Sequence, residues 1–374
     1  YAVVAIKDRN PVLRLLEPQL ADLNVVQNGI VPIRVATDDD FGIAALTLAL
    51  STQGTTTPTE FDLAKDAQDP NSKARLLTFS LLDLGATSIP HEGGPRKAQV
   101  NDSFTYVVAA VDNKEDATGA KVGNRVEVKD RRIDVVSESE LLRELTERQI
   151  RRKDEVKQLR ALQAEKIERL RGVLEDFAGS DAESKPEATD LAALEVGQNQ
   201  VTNRALRLCG EFADLFDRFA FNRLDGSAGA ERLLQQLVQA KRASIVIDGI
   251  DTTVYRPLVD QWAGGAYGQL DVLGRLIEML SAILDVGERL SPQASTAINA
   301  ARLTTDDAAR PVELKNALAA EEAALARLDQ LLEKMDEWED YQEIVTLFRD
   351  LLDDQRDINA KTRTVLKGDE KDAK

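Results

Sequence analysis

The sequence predicts an α+β chain of more than one domain, in which short β-strands come first and long helices follow. Up to about residue 136, apolar and polar residues alternate, which is the period of a strand with one buried face. Beyond residue 136, apolar residues recur at steps of three and four, which is the period of an amphipathic helix. Ser137 and Glu140 mark the change, because their spacing is that of a capping box at a helix start.

Residues 11–136 have the pattern of an immunoglobulin-like β-sandwich. About seven short apolar stretches are separated by turn-forming residues, such as Asn28-Gly29 and Gly93-Gly94-Pro95. The Cys and Trp pair of antibody domains is missing, so we expect a sandwich of the wider extracellular type. Residues 1–10 read as the end of an upstream domain, so we expect the chain to be a piece of a longer protein. The predicted strands lie at 12–16, 31–35, 46–50, 60–63, 75–82, 104–110 and 126–135.

Residues 137–366 predict an extended helical bundle with a coiled-coil-like packing stripe. Polar loops separate apolar-periodic stretches that are long enough for helices of several turns. Residues 367–374 are expected to form a charged tail. The predicted helices span 137–177, 189–221, 230–247, 257–290 and 311–366, with a short helix or turn opening at Ser291-Pro292.

The packing stripe of the last helix changes from apolar to polar along its length. Its apolar members follow one another at steps of three and four: Leu331, Met335, Trp338, Val345, Phe348 and Leu352. The same stripe continues with Gln355, Asn359 and Thr362, whose polar groups require hydrogen bonds if they are buried. We therefore predict that these three residues project from the bundle, or pair with a second copy or a protein partner through helices.

Composition argues against several classes of function. The formal net charge of -17 repels phosphate backbones, so we expect no nucleic-acid partner. One histidine, His91, lies in a turn-rich loop, and one cysteine, Cys209, lies in an apolar run. These residues favour neither a Cys/His zinc site nor a nucleophilic apparatus, so we expect no enzymatic activity. No apolar run of about 18 residues occurs, so we expect membrane contact only through a region outside this chain.

Acidic residues at strand ends suggest a calcium site. Asp38, Asp40 and Asp112, with Asp39 beside them, follow or end two predicted strands and would meet at one end of a sandwich. Carboxylates and loop carbonyls are the oxygen ligands that calcium prefers. The competing interpretation is that short acidic residues make turns by bonding to their own backbone. Apart from calcium, we expect no cofactor.

Four segments are distinctive in combination: Asp38-Asp39-Asp40-Phe41-Gly42-Ile43, YVVAAVDN at 106–113, SESELLRELTERQ at 137–149 and WEDYQEIVTLFRDLLDDQRDINAKTR at 338–363. They resemble segments of a family of large, membrane-anchored and mostly uncharacterised planctomycete-type bacterial envelope proteins, with immunoglobulin-like and long helical regions. The resemblance covers about a third of the chain. It implies a periplasmic or cell-envelope region of a larger anchored protein, and it implies no activity.

Two functions remain. The first is a non-enzymatic structural or protein-interaction region that acts as a scaffold through its long helices. The alternative is a sensing or regulatory module, whose β-sandwich binds calcium or an envelope polymer. Both interpretations require a partner that the sequence does not specify.

Overall fold

Sheets precede helices along the chain, as the sequence predicts. The computed structural model describes residues 8–52, 58–69, 74–89, 91, 94–115, 122–179, 188–247, 249–306 and 308–372, and beyond Tyr341 it describes the side chains of Leu351, Gln355, Ile358 and Asn359. It contains 56% helix and 22% strand. The α+β class is thereby confirmed.

The strands of the described region form two sheets. In chain order they are β1 (Val12–Glu17), β2 (Asp22–Val25), β3 (Ile30–Asp38), β4 (Ile43–Thr52), β5 (Thr59–Asp62), β6 (Arg75–Asp83), β7 (Ser103–Asp112) and β8 (Arg125–Val135). One sheet has the order β1-β3-β6 and the other has the order β2-β8-β7-β4-β5. Neighbours are antiparallel except β2 and β8, which are parallel. We call this region the β domain.

The inner faces of the two sheets share one core. Ile33 and Val35 of β3 belong to the same buried cluster as Leu46, Leu48 and Tyr106 of the larger sheet. These residues alternate with more polar neighbours, which is why their period predicted strands correctly. The sequence did not predict β2, because only Leu23 and Val25 alternate in its four residues.

The outer face of the three-stranded sheet is covered by helices. Phe79 of β6, Ile30 of β3 and the nearby Val26 belong to the helical core cluster, and Phe79 is fully buried. Residues of β3 are therefore buried on both faces, as expected for a strand in the middle layer of three. The β domain and the helices are joined through this shared core.

Helices occupy most of the chain after residue 137. They are α1 (Glu138–Gly179), α2 (Ala188–Phe221), α3 (Ala230–Ala243), α4 (Thr252–Ala263), α5 (Val272–Leu284), α6 (Ser291–Leu303) and α7 (Arg310–Asp372). The start of α1 has the predicted cap, because the amide of Glu140 donates to Ser137 Oγ over 3.2 Å. A π-helical stretch, Asp285–Leu290, connects α5 to α6.

Several predicted helix boundaries were wrong, and the helix predicted over 230–247 ends at Ala243. A single helix over 257–290 is replaced by α4 and α5, since Gly265 and Gly268 between them take positive φ angles of 74° and 69°. Glycine adopts this conformation without steric cost, and it ends a right-handed helix. At the other end of the chain, α7 continues to Asp372, through most of the predicted charged tail.

The long helices pack antiparallel to their neighbours. Ion pairs fix their order along the bundle: Arg152 of α1 with Glu211 of α2, Arg160 of α1 with Asp329 of α7, and Arg302 of α6 with Glu195 of α2. As residue numbers rise along α1, those of its partners on α7 fall. Partly exposed ion pairs of this kind add little stability. Packing of the apolar stripes therefore provides most of the stability of the bundle.

A buried polar layer divides the core of the bundle. Leu159 and Val201 lie in the main cluster, whereas Leu170 and Leu194 lie in a second cluster farther along the same helices. Between the two clusters lie four polar side chains that are at most 8% exposed: Gln163 and Lys166 of α1, Gln198 of α2 and Glu321 of α7. Buried polar layers of this kind can specify helix register, because a shift would leave their groups in apolar surroundings.

Glu321 is the acidic member of this layer. It is 1% exposed, and its Oε2 is buried without a hydrogen-bond partner. Burial raises the pKa of Glu321 to about 8, against the attraction of Lys166, which lowers it. The folded protein therefore holds a proton on this carboxyl that the unfolded chain, with a pKa near 4.5, releases.

We predict that Glu321→Gln makes stability less dependent on pH. In the wild type, the unfolded chain releases this proton and the folded protein keeps it, so the free energy of unfolding falls as the pH rises from about 5 to about 8, by up to about 1.4 kcal/mol per pH unit. Urea unfolding at pH 5.5 and pH 8.5 measures the difference. Glu333→Gln, on the exposed side of α7, is the control and should keep the wild-type dependence. Equal pH dependence in all three proteins would contradict this role.

Candidate functional site

A group of three acidic residues lies at the end of the β domain where β3 and β7 end. One carboxylate oxygen each of Asp8, Asp39 and Asp112 lies within 4.8 Å of the other two. Asp39 follows β3 directly and Asp112 is the last residue of β7. Asp39 is 7% exposed and Asp112 is 2% exposed. The two ends are tied by a hydrogen bond from the amide of Asn113 to the carbonyl of Gly42 over 2.9 Å.

Asp112 is held by the segment that returns toward β8. Its Oδ1 accepts hydrogen bonds from the amides of Asn124 and Lys114 over 2.7 and 3.1 Å, and its Oδ2 accepts from Asn124 Nδ2 over 2.7 Å. A Cβ at Gly123 would lie 2.7 Å from the carbonyl oxygen of Asp112, so this backbone approach requires glycine. Asp112 is therefore rigidly placed.

Asp39 has a carboxylate oxygen with no donor. Its Oδ2 accepts from the amide of Phe41 over 2.8 Å, whereas its Oδ1 is buried without a partner. Burial raises the pKa of Asp39, and the negative charges of Asp112 and Asp40 add to this, against the amide hydrogen bonds that lower it. Oδ1 of Asp8 is buried without a partner as well, although its Oδ2 lies 3.5 Å from Lys114 Nζ.

The structure brings only part of the sequence-predicted calcium set together. Asp112 belongs to the acidic group, but Asp38 and Asp40 are exposed and lie outside it. The sequence could have pointed to Asp39. Every second residue of β3 from Ile33 through Val35 and Thr37 is buried, and Asp39 is the next residue in that series. Asp8 carried no such signal, since it lies before the first strand.

A second site is a cleft of about 470 Å³ between the β domain and the helices. Its size is within the range of small-molecule sites, but its wall is unusually rich in charge. The sequence did not predict this cleft, because its residues come from distant parts of the chain. Its charged lining residues are Arg34, Arg148, Arg152, Arg207, Arg218 and Lys241, with Glu17, Glu211, Asp214, Asp217 and Asp251.

Lys241 joins four elements at the wall of this cleft. Its Nζ lies 2.7 Å from Asp217 Oδ2 of α2 and 2.9 Å from Glu17 Oε1 of β1. Tyr255 of α4 donates its hydroxyl to the same Asp217 oxygen over 2.9 Å. Burial raises the pKa of Asp217 to about 7, and Glu17 adds to this effect, although Lys241 opposes it. Burial alone would lower the pKa of Lys241, but the attraction of Asp217 and Glu17 raises it well above its ordinary value.

A second polar connection lies beside Lys241. Arg34 of β3 donates from Nη2 to the carbonyl of Ser244 over 2.5 Å and to its hydroxyl over 2.9 Å. Ser244 in turn donates to Asp251, the cap of α4. On the other side, the amide of Val26 donates to Asn222 Oδ1 over 3.0 Å. The charges of the cleft thus bond largely to one another, and they attach the β domain to α2, α3 and α4.

The end of α7 carries the third candidate site. Trp338 is 1% exposed and packs edge-to-face on Phe219, with ring centroids 5.6 Å apart. Farther along, Gln355 and Asn359 are exposed, and so are Leu351 and Ile358, each by 62%. Of the other predicted members of the stripe, Val345, Phe348, Leu352 and Thr362 lie outside the described side chains.

The partner helices of α7 end where its exposed residues begin. Lys153 of α1 pairs with Asp336 at 2.5 Å, and α1 begins 15 residues before Lys153. Counting 15 residues beyond Asp336 along the antiparallel α7 reaches Leu351. α2 ends at Phe221, just after the residue that packs on Trp338. Residues 351–372, which we call the arm, therefore extend past the starts and ends of the helices that pack against α7 up to Tyr341.

No protein-family model matches this chain, and no curated protein matches its sequence. Among the described residues, none of the helices combines the length and the apolar character that crossing a membrane would require. The arrangement of the residues is therefore the basis for a proposal about function.

We predict that Lys241→Met lowers the free energy of unfolding by about 3–5 kcal/mol, because it leaves the partly buried carboxylates of Asp217 and Glu17 without the cation that they share. Replacing all three charges together, as Lys241→Met, Asp217→Asn and Glu17→Gln, should cost less than the single change. Lys157→Met, at an exposed ion pair within α1, is the control and should have little effect. Chemical denaturation measures all three. A triple change that costs as much as Lys241→Met or more would contradict this account, and so would a Lys157→Met control that is destabilised as much as Lys241→Met.

Proposed function

We propose that this chain is a non-enzymatic structural or protein-interaction region, whose arm packs against a helix of another protein chain. The observation that carries the proposal is the exposure of Leu351, Gln355, Ile358 and Asn359 beyond the helices that bury the earlier part of α7. An exposed helix with apolar residues on one face lacks the burial that usually maintains helical structure in proteins. A partner helix would supply that burial.

The exposed residues of the arm lie on one face. At about 100° per residue, the four arm positions with described side chains, 351, 355, 358 and 359, fall within a stripe of roughly 100°. The stripe mixes apolar residues seven apart with polar ones between them. Coiled-coil interfaces combine apolar repeats with single polar residues that fix register and partner choice, at some cost in stability. The arm therefore fits a specific helical partner better than a nonspecific apolar contact.

The stretch of α7 before the arm is anchored in the core. Leu328, Leu331 and Met335, earlier on the same helix, are fully buried in the core that also contains Phe79 of the β domain. Arg327 on that stretch donates to Asp285 over 2.5 Å, which attaches α7 to the π-helical stretch. The arm and this anchored stretch belong to one continuous helix, α7. Such anchoring suits a scaffold.

The chemistry of the described side chains supports a non-enzymatic role. Burial raises the pKa of Cys209 to about 12, so its thiol is held in the protonated, unreactive form. His91 is exposed rather than positioned by packing. Asp217, the buried acid with a pKa near 7, already bonds to Lys241 and Tyr255.

We further propose that the β domain is immunoglobulin-like and that the helices form coiled-coil-like contacts. The strand order supports the first part, since one sheet of three strands packs over a second sheet whose centre is a β8-β7-β4 ladder. By resemblance, we place the chain in the periplasm or cell envelope, as part of a protein anchored through a region outside it. This fold is compatible with many functions, so the assignment of an interaction role rests on the arm.

The prediction for the arm uses site-specific photo-crosslinking in the native cell. A photoreactive residue in place of Gln355 should give a defined crosslinked product, whereas the same residue in place of Val196, 59% exposed on α2, should not. The mass of the product distinguishes a second copy from a different protein. Adding Leu351→Ala and Ile358→Ala should reduce the product at least tenfold, since each buried apolar side chain contributes about 1.5–3 kcal/mol.

The same two alanine substitutions should leave the melting temperature of the purified chain nearly unchanged, as should Gln355→Ala and Asn359→Ala. Crosslinking that is equal from Gln355 and Val196, or insensitive to the alanine substitutions, would exclude the arm as the interaction surface. A loss of stability comparable to that of a core substitution would show that the arm packs within its own chain.

A further inference from the structure

The acidic group at the end of the β domain holds more negative charge than its neighbours neutralise. Asp8, Asp39 and Asp112 bring three carboxylates together. Among the described residues, Lys114 pairs with this group, and its Nζ lies 3.5 Å from Asp8 Oδ2 and 3.3 Å from Asn124 Oδ1. Three negative charges and one positive charge leave a deficit equal to the charge of one divalent cation.

An independent observation is the unpartnered oxygen of Asp39. Asp39 is only 7% exposed, and its Oδ1 accepts no hydrogen bond from the described residues. Turn formation accounts for the bond that Oδ2 accepts from the amide of Phe41 and for the nearby amide of Gly42, which also favours the charged carboxylate, but Oδ1 itself has no hydrogen-bond partner. A buried carboxylate oxygen without a donor is costly unless a cation or a proton satisfies it.

The spacing of the oxygens fits calcium. For three oxygens separated by at most 4.8 Å, there is a point within roughly 2.8 Å of all three, close to calcium–oxygen distances of about 2.3–2.6 Å. Magnesium needs about 2.0–2.1 Å and near-ideal octahedral geometry, which three rigidly held carboxylates satisfy less readily. We propose that Asp8, Asp39 and Asp112 bind one Ca²⁺ at this end of the β domain, with water completing the coordination.

Calcium at this site would connect several elements. Asp39 follows β3 of one sheet and Asp112 ends β7 of the other, while Asp8 precedes β1. Binding would therefore hold the two sheets together at one end, and it would make the stability of the β domain depend on calcium. This site is independent of the role proposed for the arm, which lies on a different element.

The test is a titration of calcium chloride into the full chain after metals have been removed with a chelator. Isothermal calorimetry should give one calcium per chain, with a Kd of about 10⁻⁵ to 10⁻³ M, and millimolar calcium should raise the melting temperature. Asp39→Asn should weaken binding at least tenfold. Asp40→Asn, the same charge change at an exposed neighbour, should alter the Kd less than about threefold.

Asp39→Asn keeps an acceptor for the Phe41 amide, so without calcium it should melt no lower than the wild type. Lys114→Met should tighten calcium binding, because it removes the ammonium beside Asp8. Two outcomes would overturn the proposal: no saturable heat and no thermal shift up to 10 mM calcium, on the order of the weakest extracellular sites, or equal weakening by Asp39→Asn and Asp40→Asn. The latter would mean that calcium only screens the surface charge.

Discussion

Burial of the outer face of the three-stranded sheet is the constraint on which the rest of the structure depends. Three apolar residues of the β domain pack in the helical core and not between the two sheets: Val26, Ile30 and Phe79. α2 lies against β3, and α3 lies against β6. A sheet with one face already packed against a second sheet can bury the other only under a further layer. The helices supply that layer, so the β domain and the bundle form one packing unit.

The buried charges follow from the same contact. Arg34 of β3 and Lys241 of α3 lie at the boundary between sheet and helices, where each is at most 6% exposed. Their partners come from both sides of the boundary: Ser244, Asp217 and Glu17. Buried ion pairs contribute little net stability compared with apolar packing, but breaking one is costly. They therefore favour one arrangement of the β domain on α2 and α3.

Local patterns predicted the local structure and failed where the chain folds back on itself. Alternation through Ile33 and Val35 predicted β3, and the period of three and four predicted α1 and α2. Gly264 and Gly265 weakened the boundary of the predicted helix over 257–290, but the apolar periodicity on both sides of them still favoured one helix. Lys241 and Glu17, 224 residues apart, could not be paired from the sequence. Asp39 rather than Asp38 belongs to the acidic group because the alternation of side-chain direction in β3 continues for one residue beyond its end. Asp39 is therefore buried like Thr37, and Asp38 is exposed.

The central claim is that the β domain and the helices unfold together. Differential scanning calorimetry of the whole chain tests it most directly, because chains of this length often unfold domain by domain. A shared core predicts one transition, whose calorimetric and van't Hoff enthalpies agree, with loss of β-sheet and helix signals at the same temperature. Two separate transitions, or loss of the sheet signal while the helical signal persists, would contradict the claim.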